Sequence, residues 1–279
     1  ERERTRFARL FPCLQKSYHR FPVMLSSDLR HALPYLSVGK SLYDIVIGYF
    51  KDQDLALSFT FQSKYLGMSP WECPGAFAMI AYIEHEFGIY HTTGGLSRIS
   101  EVMADVARRN GAEIRTETPV KRILTEGRRV KGVELGDGER VSGDAVVINA
   151  DFGYAMTNLF DPGVIRKYSA ERLEKKKFSC STFMLYLGLD KLYSEPHHCI
   201  YFSGNYRKYV EGVFAGELPG EDISFYLRNA SITDPTLAPK GHSAVYVLVP
   251  VANMRGKAHW GAEKAAFREV VLDSIEERT

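Results

Sequence analysis

The stretch GAEIRTETPVKRILTEGRRVKGVELGDGERVSGDAVVIN, residues 111–149, decides the fold class. It holds four strand-like runs: Glu113 to Thr116, Val120 to Thr125, Val130 to Leu135 and Ala145 to Asn149. Glu126-Gly127 and Gly136-Asp137-Gly138, which favour tight turns, split them. The apolar character of the last run predicts a central strand covered on both faces. Just upstream, Leu96, Ile99, Met103 and Val106 form one stripe of a helix. Arg108 and Arg109 suit its C-terminus, and Gly111 supplies its C-cap. A helix, a meander and a buried strand in that order predict α/β organisation.

Towards the N-terminus the first 20 residues carry a helical pattern. Leu33, Leu36, Val38, Leu42, Ile45, Val46, Tyr49 and Phe50 recur at roughly helical spacing, with Pro34 and Gly39 as breaks, which predicts two short amphipathic helices. A further helical turn or two follows over Asp54 to Phe61. Gly67-Met68-Ser69-Pro70 reads as a turn, and Pro74 to His85 as a helix apolar on nearly every face. Ile89-Tyr90-His91 is a short β-like run before Thr92-Thr93-Gly94-Gly95. Towards the C-terminus, Asp151 to Lys177 is helical in composition. Thr182 to Leu189, Cys199 to Phe202, Ser224 to Leu227 and Ala244 to Pro250 are strands of a mixed or antiparallel sheet. Ala262 to Glu277 is an amphipathic helix.

Composition narrows the function classes. Hydrophobic residues make up 45% of the 279 and charged residues 25%, so the chain has material for a core and no signature of disorder. A net charge of +2 leaves no electrostatic footprint for nucleic acid, and Arg128-Arg129 and Lys175-Lys176-Lys177 are too short to supply one. Cys13, Cys73, Cys180 and Cys199 form no CxxC pair, which points to neither zinc nor a disulfide framework and makes a reducing cytoplasm the default location. No apolar run is long enough to cross a bilayer. The 16 Tyr and 16 Phe need an apolar core to fill or an apolar ligand to hold. Without an initiator methionine, and with a final helix that stops uncapped, the chain is expected to be the interior of a longer gene product.

Familiar catalytic constellations are missing from this sequence. His85 and His91 are six apart with Gly88 between them, which breaks the spacing that puts two imidazoles on one helical face. His197 and His198 are adjacent on a strand-like stretch, so they are expected to face opposite ways and to serve structure. No metal site is expected. Gly95-Leu96-Ser97 lacks the second glycine of a nucleophile elbow. No G-x-G-x-x-G or P-loop is available to cradle a phosphate. Gly94-Gly95, taken alone, is either a backbone that admits a bulky ligand or a loop that needs positive φ.

Seven segments in order nevertheless resemble one family. They are Ser58-Phe59-Thr60-Phe61-Gln62-Ser63 through Gly67-Met68-Ser69-Pro70, then Tyr90-His91-Thr92-Thr93-Gly94-Gly95, Thr118-Pro119-Val120-Lys121-Arg122-Ile123 and Ile148-Asn149-Ala150-Asp151. After these come Ser181 through Leu189, His197-His198, and Thr233-Asp234-Pro235-Thr236-Leu237-Ala238-Pro239 running into Tyr246 through Val251. Together they are similar to the bacterial-type phytoene desaturases, flavoproteins of the glutathione-reductase-like group. The resemblance covers the middle of the family's length, without its N-terminal Rossmann motif or its C-terminal flavin segment. It implies part of an FAD domain over 89–155, a helical substrate- or membrane-facing region over 1–88, a substrate-domain sheet over 156–258, and the start of a further helix over 259–279.

Carried over position by position, the resemblance makes Gly94 and Gly95 the loop that approaches FAD and Val120 the residue whose backbone meets the adenine. Ala150 and Asp151 would close the dinucleotide pocket. Asp52 and Asp54 lie near an acidic stretch that assists proton transfer in such proteins, although Ala56 stands where an arginine is often found. The implied reaction is dehydrogenation of a long polyene such as phytoene, one hydrogen leaving as hydride to the flavin and one as a proton, in an apolar tunnel. Such a substrate resides in lipid, so peripheral contact with a membrane surface is expected through the amphipathic pieces between Leu29 and Phe50, whose equal alternative reading is a helical lid over the core. A chain lacking the dinucleotide motif is expected to bind FAD weakly or not at all by itself. The alternatives are a retinol-saturase-like or amine-oxidase-like oxidoreductase, or a non-catalytic carotenoid- or lipid-binding protein. Oligomeric state is not legible.

Overall fold

The computed structural model describes residues 1–18 and 26–279. Residues 19 and 20 of the expected first helical segment lie outside the described residues. The chain forms two compact units, one made of Glu1–Arg98 with Ser179–Thr279, the other of Ile99–Phe178. These follow spatial contacts, whereas the segments 1–88, 89–155, 156–258 and 259–279 are expectations about role.

The larger unit pairs short helices with a four-stranded antiparallel sheet. Its strands are β4 (Ser181–Leu189), β5 (His198–Tyr201), β6 (Phe225–Asn229) and β7 (Ser243–Val251), in the order β4-β7-β6-β5. Alternation sorts their side chains onto two faces. Phe183, Leu185, Leu187, Val245, Val247, Val249, Phe225 and Leu227 pack against Val210 and Val213 of the helix Tyr206–Phe214 and against Phe267 and Val271 of the helix Trp260–Arg278. Burying each of these side chains contributes about 1.5–3 kcal/mol. The register Phe183↔Val249, Leu185↔Val247 and Leu187↔Val245 keeps the apolar rows opposite one another. The other face carries Thr182, Tyr186, His198, Ile200, Tyr226, Arg228, Tyr246 and Leu248.

The helices of this unit are held by local chemistry that the sequence displays. Ser41 and Asp44 form a reciprocal capping box on Leu42–Phe50, with Leu42 and Val46 turned into a small core with Ala56, Cys73 and Ala78. Arg6, on the helix Arg2–Leu14, donates to Glu3 and to the carbonyls of Tyr35 (3.1 Å) and Gly75 (3.3 Å), tying that helix to the loops beside it. The apolar stretch from Pro74 becomes a 3-10 turn, Gly75–Ala78, and then the helix Met79–Phe87. Ile89-Tyr90-His91 pairs with no strand and runs on as loop, contrary to expectation.

The smaller unit contains the helix Ser97–Arg109, whose first two residues belong to the larger one, and an antiparallel meander of β1 (Val120–Glu126), β2 (Arg129–Leu135) and β3 (Arg140–Ser142). Gly111, at φ +86°, closes the helix: its N–H reaches the Arg108 carbonyl and the Ala112 N–H reaches that of Ala107, a Schellman arrangement. At Gly132 a Cβ would stand 2.0 Å from the Val141 carbonyl oxygen, so only glycine lets β2 and β3 approach. Two expected strands do not form. Residues 113–116 and 145–149 are both irregular, with Val147 92% exposed. The apolar run meets no neighbouring strand among the described residues, and an unpaired segment has no ladder to join. The outcome is a mixed α/β chain whose two sheets are both antiparallel.

Candidate functional site

On the Tyr-bearing face of the four-stranded sheet lies a cavity of about 500 Å³. Tyr226, Tyr246, Leu248 and Ile200 form its floor, and Phe61, Gln62, Lys64 and Tyr65 of the 3-10 helix Phe61–Leu66 form a wall. Edge-on contact of Tyr226 with Tyr246, 5.7 Å between centroids, holds the floor rings, and Phe61 lies 6.0 Å from Tyr226. Burial pushes the Tyr65 phenol up to about 12 and carries that of Tyr226 higher still, so both stay neutral and present ring surface rather than charge. Glu84 brings a carboxylate to the rim, where it accepts from Gln62 Nε2 at 2.7 Å. A larger cavity of about 740 Å³ lies among Leu10, Leu36, Val38, Trp71 and Met79, away from this sheet.

At the edge of the same sheet face, three sequence-distant segments meet in one polar network. The Asp234 side chain, 3% exposed, takes a hydrogen bond from the Gly94 N–H (2.7 Å) through Oδ2, and from the Thr236 N–H (3.1 Å) and hydroxyl (2.5 Å) through Oδ1. His91 Nε2 is 2.9 Å from Asp234 Oδ2, and His91 Nδ1 is 3.0 Å from an Arg228 Nη2. Arg228 Nε also points at His197 Nε2 (3.2 Å), and His197 Nδ1 is 2.6 Å from the Thr233 hydroxyl. A guanidinium can only donate. Both imidazoles therefore accept on the nitrogen facing Arg228 and carry their proton on the other, donating to Asp234 and Thr233 respectively.

Electrostatics agree with that assignment. Hydrogen bonds from Thr236, His91 and the Gly94 backbone hold the Asp234 carboxyl far below the usual carboxylate range. Burial lowers the pKa of His197, with His198, Arg228 and His91 adding repulsion, and burial likewise lowers that of His198. The rings of His197 and His198 stack at 4.3 Å, which overturns the expectation that they face opposite ways. The alternation rule fails because β5 begins at His198, leaving His197 outside the strand, turned towards Arg228 and Thr233.

The sequence-derived residues fall in both compact units. Gly94 and Gly95, at φ +83° and +90°, form a loop in the larger one. A Cβ on Gly94 would come within 3.0 Å of Arg98 Cγ, so this backbone is bare by need. The Gly94 N–H is already committed to Asp234 and is not a spare backbone donor. In the smaller unit Val120 opens β1, Ala150 is exposed, and Asp151 caps the helix Phe152–Asn158 by accepting from the Tyr154 N–H at 2.7 Å. Asp52 caps Gln53–Ser58, accepting from the Leu55 N–H at 2.8 Å, and neither it nor Asp54 lines the 500 Å³ cavity. Sequence reasoning missed Arg228 and Lys64. The signal for Arg228 was a charge at an alternating position inside a strand.

Comparisons with known proteins agree with this architecture. Residues 38–177, half the chain, match the family of flavin-containing amine oxidoreductases. A 4,4'-diapophytoene desaturase (4,4'-diapolycopene-forming) of Methylomonas sp is 48% identical over 275 residues, 99% of this chain and 54% of that protein. An all-trans-zeta-carotene desaturase of Myxococcus xanthus is 39% identical over 242 residues, 85% of this chain and 46% of that protein. The chain thus spans about half the length of the curated relatives it matches. A crystal structure of an oxidoreductase from Methanosarcina mazei shares the fold, with a TM-score of 0.58 at 18% identity over 94% of this chain and 60% of that one. With half of its residues matched by that family, this chain belongs to the flavin-containing amine oxidoreductases.

Proposed function

We propose that the chain is the substrate-holding part of an FAD-dependent desaturase that dehydrogenates a long polyene of the phytoene type. The observation that carries this reading is the ring-floored cavity on the sheet. A hydrocarbon substrate needs apolar area and few polar groups, and neutral tyrosines provide wide, stiff surface for an extended conjugated chain. Relatives named for desaturation of diapophytoene and zeta-carotene support it. When bound, the flavin supplies the hydride-accepting chemistry. Gly94 and Gly95 keep side chains out of its approach, and Asp234 fixes their backbone. Val120, Ala150 and Asp151 are assigned to the dinucleotide half of the cofactor, with Asp151 ordering the helix that follows.

We also infer that the helical region meets a membrane surface. Among the described residues no helix is long and apolar enough to cross a membrane. Phe11, Leu14, Leu33 and Val38 are nonetheless exposed, as befits residues resting in a headgroup layer.

The test is expression of the complete gene that encodes this chain in a host that accumulates colourless phytoene, with pigments read by absorbance and flavin content measured on the purified gene product. Red-shifted polyene products are expected. Bound flavin with no red-shifted product would remove the desaturase assignment.

A further inference from the structure

The reaction assigned to the ring-floored cavity releases a proton, and a group on its lining has to take it. Most titratable groups there are spent. Burial holds the Tyr65 and Tyr226 phenols and the Cys180 thiol in their protonated forms, and Lys64 Nζ is sealed from solvent. Glu84 already accepts from Gln62 and from the Tyr65 hydroxyl. His198 remains. It lines the cavity, is exposed, and stands on the edge strand β5 opposite Arg228 of β6. Its Nδ1 meets the Tyr226 hydroxyl, and its ring runs nearly parallel to that of Tyr226 at 5.8 Å. Its Nε2 makes no hydrogen bond among the described residues.

We propose that His198 Nε2 is the catalytic base that takes the proton from the polyene, and that Tyr226 is the residue that positions it. The inference rests on the reading of this cavity as the site of polyene dehydrogenation. The Tyr226 hydroxyl is also hydrogen-bonded to that of Tyr246. Giving its proton to Tyr246, it accepts from His198 Nδ1–H, and this fixes the tautomer whose Nε2 keeps a lone pair. Hydride leaves one carbon of the chain for the flavin. The C–H bond of the neighbouring carbon breaks towards Nε2, and its electron pair becomes the new C=C π bond. The imidazolium so formed is exposed and hands its proton to water. Burial, and then repulsion by Arg228 and His91, lower the pKa of His198, so the ring is uncharged and ready at neutral pH. The other titratable groups against it are Tyr226 and the stacked His197.

The experiment uses the complete gene product and begins with nitrogen NMR on isotope-labelled histidine, His198→Gln identifying the signal. At neutral pH Nε2 is expected to resonate as an unprotonated nitrogen and Nδ1 as a protonated one, with or without flavin. Tyr226→Phe removes the acceptor and is expected to mix the two tautomers. Polyene binding is read by quenching of Trp71, whose ring lies 6.1 Å from that of the cavity residue Tyr206. The probe is the hydrocarbon with the skeleton of all-trans-retinal and a methyl group in place of its aldehyde. His198→Gln is expected to keep probe binding and melting temperature and to slow phytoene dehydrogenation about 10²–10⁴-fold. It should also abolish the fall in kcat/KM that the wild type shows as pH drops below about 6.5 and Nε2 is protonated. His198→Gly is expected to regain rate when imidazole is added. A protonated Nε2 in the neutral wild type, a His198→Gln variant with the wild-type rate, or one that loses probe binding and rate alike overturns the role of His198. A wild-type product that carries flavin and binds the probe yet dehydrogenates nothing removes the desaturase reading itself.

Discussion

The two faces of the four-stranded sheet come from the same strands, one residue apart, and are built to different rules. Val245, Val247 and Val249 point into a closed core with Phe267 and Val271, and all five are buried. Tyr246 and Leu248, between them, look onto the cavity with Tyr226. One face is filled by β-branched and aromatic side chains at close packing; the other is floored by rings with space left above them. Alternation alone thus separates what holds this unit together from what it offers to a ligand.

Three substitutions test that division. Val247→Asp places an unpaired carboxylate in the core and is expected to destabilise by about 4 kcal/mol or more, seen as unfolding at much lower denaturant. A wild-type midpoint would break the comparison. Asp234→Asn should cost less, and the loss should depend on pH. The depressed Asp234 pKa means its contribution is fully present above the ordinary aspartate value of about 4 and disappears as pH falls below it. The variant should therefore flatten the acid limb of the stability curve, and an unchanged limb would deny Asp234 its place as the tie of the glycine loop. Tyr246→Leu, on the cavity face, is expected to move stability by only about 1 kcal/mol, through lost contacts with Arg228 and Tyr226. Its main effect should be weaker polyene binding in the same quenching assay, and a large stability loss without a binding change would reverse the two faces.

Much of the fold was legible where a pattern carries its own partners. β1, β2, β4 and β7 follow from alternation and turn residues, and the helix end at Gly111 follows from its arginines and glycine. Residues 145–149 were not legible, because an apolar run announces a wish to be buried and says nothing of whether a neighbouring strand is there to hydrogen-bond it. The site was half legible. The segments around His91, around His197 and around Asp234 were each singled out, but their convergence depends on β6 presenting Arg228 between them. That is a tertiary fact with no local signature. Lys64 escaped notice because a lysine among Gln62, Ser63 and Tyr65 reads as surface until the 3-10 turn carries it under Tyr206.

The guanidinium at the centre of the polar network has one further consequence. Donation runs outward from Arg228 along both arms, to His91 and on to Asp234, and to His197 and on to Thr233, with each imidazole fixed in a single tautomer. A relay would have to reverse direction at a group that does not release its proton near neutrality. These histidines are thus insulators: they hand on position from strand to loop, and any hydrogen lost by a ligand as a proton must leave by another road.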